Sequence, residues 1–217
     1  MYFYNMSIIV KLASQLGRRD EAPNQELAAA LVISKDKAAI KELISFLRHP
    51  QKEIMFDSIK VLYEIGYQDP DLIAPYVSDF VLLLQSKHNR MQWGAMTALS
   101  AITPIAPDRI FSHLTEIISA AETGTVITKD HYMTILNLLA RISKYYESCM
   151  SLILEQLHSA AENQFPTYAE NAYKTAQRAE RITLLNILEL RVNEINSTTK
   201  KSRVEKLIKK ITADRRG

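Results

Sequence analysis

The chain has 217 residues and a net charge of +3, with hydrophobic residues making up 47% of it, enough to build a core. Only five glycines and seven prolines occur, so few turns with positive φ are expected and an all-α fold is predicted over a β fold. A single cysteine, Cys149, excludes an internal disulfide. No run of 18 or more apolar residues is present to cross a membrane, and the cytoplasm is the expected location.

The N-terminal stretch MYFYNMSIIVKLASQL is apolar but lacks a basic leader and an A-x-A cleavage site, so it reads as a first helix and not as a secretory signal. That helix is expected over residues 6–16, with Ile8, Ile9, Leu12 and Leu16 on one side. Gly17 to Asn24 is a break, and residues 25–34 form a second helix; together residues 1–34 are expected to cap the fold. Ser34 or Asp36 is the expected N-cap of the next helix, which holds Ile40, Leu43, Ile44 and Leu47. His49-Pro50 turns the chain into a helix from Lys52 to Gly66, closed by that glycine. Residues 72–85 then pair with 90–102, and residues 109–122 pair with 130–144 across a longer turn, TGTVITKD. Residues 151–161 pair with 166–178, whose stripe of Ala169, Ala172, Ala176 and Ala179 predicts close helix contact. A last pair spans 180–195 and 203–211, separated by the polar break NSTTKK.

The second helices repeat. KEIMFDSIKVLYEIG from Lys52, NRMQWGAMTALSAIT from Asn89 and KDHYMTILNLLARIS from Lys129 superpose without gaps, at offsets of 37 and 40 residues. Phe56, Trp93 and Met133 then share a slot, as do Ile59, Met96 and Leu136; Leu62, Leu99 and Leu139; and Ile65, Ile102 and Ile142. A spacing of three within each copy follows one stripe of a helix, and repetition at this period marks an α-solenoid. The corners Asp69-Pro70-Asp71 and Ala106-Pro107-Asp108 repeat with the same offset.

Helix pairs of this length, with Pro and Asp at the corners and a Leu/Ile/Ala stripe on the second helix, resemble HEAT repeats, with armadillo repeats as the near relative. The basic residue early in the second helix is present as Lys52, Arg90 and Lys129, while the turn Asp is missing from the first two copies. The resemblance implies an α-α superhelix of four to five helical hairpins in a single domain, with core repeats over 36–180. A cap with a basic helix is expected over 181–217. It also implies a scaffold that holds a protein partner on the concave face lined by second helices.

By the same alignment Lys60, Thr97 and Asn137 share one slot on that face, with Tyr173 or Lys174 next in line. Glu64, Ala101, Arg141 and Arg178 share another. Partner contact is therefore expected from Lys60, Tyr63, Glu64, Asn137, Arg141, Tyr173, Lys174 and Arg178, with Tyr67 adding aromatic area. Trp93, aligned with Phe56 and Met133, is expected in the core.

The charge is uneven. From Lys200 onward eight Lys or Arg stand against Glu205 and Asp214, while the preceding 199 residues carry 19 basic and 22 acidic groups; the net positive charge comes from the tail. Lys200, Lys201, Arg203, Lys206, Lys209 and Lys210 are candidate phosphate contacts, which makes nucleic-acid binding the alternative function. Val204, Leu207, Ile208 and Ile211 give the same helix an apolar stripe that could cap the last repeat. The five histidines are scattered, and HExxH, G-x-S-x-G, Walker A and G-x-G-x-x-G are absent. No metal, cofactor, small-molecule substrate or catalytic site is predicted. One HEAT-like group excises alkylated bases with an aromatic residue and an Asp in its groove. Here Thr97 stands one turn after Trp93, so that signature is not met and a glycosylase stays a remote third reading.

Overall fold

The computed structural model describes residues 7–214. Met6 of the expected first helix, and Arg215 and Arg216 of the basic tail, lie outside the described residues. Among the described residues the chain is all-α: α1 (Ala22–Ser34), α2 (Lys37–Phe46), α3 (Lys52–Gln68), α4 (Val77–Leu83), α5 (Asn89–Ile102), α6 (Pro107–Phe111), α7 (Leu114–Thr123), α8 (Val126–Leu139), α9 (Ser143–Ser159), α10 (Phe165–Thr175), α11 (Arg178–Arg191) and α12 (Thr198–Asp214), with short 3-10 turns between some of them. It divides into two compact units, Met1–Tyr132 and Met133–Gly217, and the division falls inside α8.

In the first unit α1 packs on α3 and α3 on α5, giving a layer of three helices, while α2 backs α3 and α4 backs α5. The repeated stripe forms the core of this layer. Ile59, Leu62, Ile65, Met96, Leu99 and Ile102 are all fully buried. Two close approaches set the spacing of the layer. A methyl group added to Gly94 would stand 2.6 Å from Ile59 Cγ1, and one added to Gly66 would stand 2.7 Å from Ile73 Cδ1 and 3.2 Å from Ala101 Cβ. Gly66 therefore does not close α3, as the sequence suggested. The helix runs on to Gln68, and the glycine serves packing.

Polar side chains finish the helix ends. The Asp36 carboxylate accepts the N–H groups of Ala38 and Ala39 at the start of α2, and Gln92 Nε2 donates to the Leu84 carbonyl beyond α4. The expected helix over 6–16 is instead one 3-10 turn, Ile8–Lys11. The N–H groups of Ala13 and Ser14, which a continuing helix would use, donate to Asn24 Oδ1 (3.0 Å) and Asp57 Oδ2 (2.8 Å). Leu16 is left exposed.

The expected first helix over 72–85 is also split: 3-10 turns at Pro70–Leu72 and Ala74–Tyr76 precede α4, because Pro75 supplies no N–H. The long turn TGTVITKD does not form. Only Gly124 and Thr125 separate α7 from α8, so the extra residues lengthen α8 at its start.

In the second unit α9, α10, α11 and α12 pack around one another, with α12 on both α10 and α11. Tyr145, Cys149, Ile153, Leu157, Phe165, Ala169, Ala172, Leu184, Leu188, Val204 and Ile211 are buried. The predicted alanine stripe is interrupted: α10 ends at Thr175, Ala176 is its C-cap and Ala179 is exposed on α11. Arg191 closes the end of α9, donating from Nη1 to the carbonyls of Leu157 (2.7 Å) and Ala160 (2.8 Å) while its guanidinium lies 4.5 Å from the Phe165 ring centroid. Most of NSTTKK is helical, since α12 already begins at Thr198.

Candidate functional site

The first unit gathers charge and aromatic rings on the layer formed by α1, α3 and α5. Glu21 stands at the N-cap of α1, Lys60 and Glu64 are one turn apart on α3, and Arg90 lies in the first turn of α5. Lys60 Nζ is 2.8 Å from Glu21 Oε2 and 2.7 Å from Glu64 Oε1, while Arg90 Nη2 donates to the other Glu21 oxygen at 3.0 Å. One carboxylate thus ties three helices. Lys60 is only 5% exposed. Burial alone would lower its pKa, but hydrogen bonds to Glu21 and Glu64 outweigh that and hold it above the ordinary lysine value.

Aromatic rings flank the charges. Lys60 Nζ lies 4.9 Å from the Tyr63 ring centroid. Tyr63 meets Tyr67 edge-on at 6.0 Å and Trp93 at 5.7 Å. Arg90 covers Phe56 at 5.6 Å, and Phe56 meets His88 edge-on at 5.9 Å. Tyr63 is buried, whereas Tyr67 is 57% exposed and Trp93 and Phe56 are half-buried. Burial raises the phenol pKa of Tyr63 and of Tyr67, so both stay neutral hydrogen-bonding groups at neutral pH. A cleft of about 260 Å3 opens beside the ladder, with Glu21, Phe56, Asp57 and Arg90 among its walls.

The sequence therefore placed Lys60, Tyr63 and Glu64 together, and the structure does the same. Trp93 is a correction: it sits half-buried beside Tyr63 at the surface, not in the core. Glu21, the hub of the ladder, carries no sequence signal, because it precedes the repeats and has no aligned counterpart. Arg90 was visible as the basic residue early in a second helix, but its carboxylate partner comes from α1 and not from a turn Asp.

The residues expected farther along fall in the second unit. Asn137 is 8% exposed and is spent internally, donating to the Met133 carbonyl at 2.7 Å and accepting from Thr175 Oγ1 at 3.1 Å. Lys60, Thr97 and Asn137 are all buried, so their shared slot is a repeated buried polar position. Tyr173 donates to Asp214 Oδ2 at 2.5 Å, and Lys174 to Asn171 Oδ1 at 3.1 Å. Arg141 lies in the turn after α8 and Arg178 opens α11; both are exposed. Neither occupies the second-helix slot expected of it, because α8 and α10 end before reaching them. On α12, Arg203 makes a bidentate pair with Glu170 and a bond to Thr167 Oγ1, and Lys200 donates to Asn163. Lys201, Lys206, Lys209 and Lys210 project from the same helix.

Among the described residues no cluster of His, Cys, Asp or Glu could hold a metal ion, and no helix is long and apolar enough to cross a membrane. Cys149 is buried, and burial pushes its thiol up to about 11.

Stacked helix pairs with an ion-paired second-helix layer define a helical-repeat α-solenoid of the HEAT/armadillo type. Solved structures carry the same fold. A computationally designed armadillo repeat protein for modular peptide recognition matches with a TM-score of 0.64 at 14% identity, covering 91% of this chain and 95% of that one. A designed armadillo repeat protein in complex with the peptide (KR)4 matches with a TM-score of 0.61 at 15% identity, covering 92% and 87%. Among curated proteins, the AP-4 complex subunit epsilon of Dictyostelium discoideum is 22% identical over 158 residues, which is 72% of this chain. The chain spans only 14% of that relative's length. No family model matches the chain.

Proposed function

We propose that the chain is a non-catalytic binding module that holds an extended segment of a protein partner against the layer of α1, α3 and α5. The observation that carries this reading is the aromatic ledge of exposed Tyr67 and half-buried Trp93 beside the fixed Lys60–Glu64–Glu21–Arg90 ladder. Tyrosine and tryptophan bring large contact area at small entropic cost, and a surface already ordered by ion pairs loses little freedom on binding. Lys60 and Tyr63 hold the ledge in place, while Tyr67, Trp93 and the rim of Glu64 make contact. The peptide recognition named for the designed armadillo protein supports the same use of this fold. In the second unit, exposed Arg141, Lys174 and Arg178 are proposed as further contacts, with Tyr173 and Asn137 as support.

The test is affinity capture from lysate with and without nuclease, comparing the natural chain with Tyr67→Ala/Trp93→Ala. A partner held by the natural chain and lost by the double variant, at unchanged helical content, is the expected result. Capture that vanishes with nuclease would turn the reading to nucleic acid, and capture that the variant retains would remove this face from the site.

A further inference from the structure

The face α12 turns toward α10 has a different chemistry. α12 is seated by Val204, Leu207 and Ile211, and beside that seam the two helices leave a groove of about 310 Å3. Leu207 and Tyr173 give it apolar surface. Lys174, Arg203, Lys206 and Lys210 surround it, with Glu170 the one carboxylate in its lining. Glu170 does not balance the lysines, because its two oxygens take Arg203 Nε (2.9 Å) and Nη2 (2.8 Å). Lys174 reaches only a neutral amide oxygen. Lys210 lies 4.8 Å from the Tyr173 ring centroid, and Lys206 pairs with no carboxylate among the described residues.

Three ammonium groups thus share one groove, and among the described residues none of them forms an ion pair. Lys206 and Lys210 are four residues apart on α12, a like-charge pair that disfavours the helix. Tyr173 is held by its bond to Asp214, and the Arg181 guanidinium also lies over its ring, 4.7 Å from the centroid.

We propose that this groove binds an acidic, extended peptide segment of a partner, with one aliphatic side chain seated on Leu207 and Tyr173 and its flanking carboxylates facing Lys174, Lys206 and Lys210. Charge complementarity decides the occupant. The volume, at the low end for ligand pockets, suits a side chain and not a folded domain. A nucleic acid would need a track of free cations along the backbone. Here Lys200 and Arg203 are already engaged, and Lys201 and Lys209 stand outside the groove lining. The inference rests on none of the residues of the aromatic ledge in the first unit.

The experiment is an anisotropy titration of fluorescein-labelled Asp-Glu-Leu-Glu-Asp with the full chain at ~50 mM salt. Asp-Glu-Gly-Glu-Asp and a labelled single-stranded oligonucleotide run beside it. Saturable binding of the leucine peptide is expected, several-fold tighter than the glycine peptide. Lys206→Glu/Lys210→Glu is expected to weaken it by about tenfold or more. Both lysines are exposed, so circular dichroism should not change; if it does, Lys206→Gln/Lys210→Gln replaces the reversal. No saturable binding, binding untouched by either variant, or an oligonucleotide bound more tightly than the peptide would each overturn the proposal.

Discussion

Lys60 keeps its proton in a place where burial works against it, because Glu21 and Glu64 both lie within 2.8 Å. Its pKa is raised in the folded chain, so the stability it contributes is fully present at neutral pH and is lost only as strongly alkaline pH passes the folded value. Lys60→Met should strand the Glu64 carboxylate, which is mostly covered, while Glu21, half exposed, regains water. A loss of about 1–2 kcal/mol is expected in urea unfolding at pH 7, and an unchanged midpoint would show that the ladder does not hold the layer. Cys149 follows the same sign. Its folded pKa of about 11 lies above the ordinary thiol value, so the folded chain binds that proton more tightly. Its contribution should be steady below about pH 8.5 and should fall as pH rises from there toward 11. The thiol should resist a disulfide reagent at pH 8 until the chain unfolds; rapid labelling of the native chain would contradict its burial.

At the scale of elements, the contact of α3 with α5 depends on Gly94. Gly94→Ala gains helix propensity of about 1 kcal/mol but drives a methyl group against Ile59, a clash that costs about 1–3 kcal/mol. Ile59 is fully buried and the clash falls on Cγ1, near the root of its side chain, so the net expectation is a lower urea midpoint; a higher one would mean that the layer yields easily. The second helices were legible in the sequence because their buried stripe recurs from copy to copy, and eight of the nine residues in the slots of Ile59, Leu62 and Ile65 are buried. The ninth, Ile142, is the N-cap of α9. That one residue explains the misplaced Arg141: the apolar period continues through the turn after α8, and periodicity alone does not register where the hydrogen bonds stop. The split before α4 and the 3-10 turn at Ile8 were hidden for a related reason. Both depend on Pro75, or on side chains distant in sequence such as Asn24 and Asp57, taking or removing backbone bonds.

For the whole molecule, the fold was readable and the site only in part. Lys60, Tyr63 and Glu64 lie within one turn of one helix, so their company follows from local spacing. The ledge also needs Glu21 from α1 and Trp93 from α5, and that assembly is a product of packing. The basic stretch from Lys200 to Lys210, which suggested phosphate contacts, belongs to a folded helix seated on α10 and α11, with part of its charge already engaged. The proposed partner segment lies on the α1–α3–α5 layer beside Tyr67 and Trp93. Trp93 is the one tryptophan of the chain and sits half-buried within that ledge, so its fluorescence reports on the face directly. The decisive measurement is Trp93 emission during titration with a tryptophan-free peptide from the captured partner. A saturable blue shift is expected as water leaves the indole, abolished by Tyr67→Ala. A peptide that binds to saturation while Trp93 emission stays unchanged would contradict it.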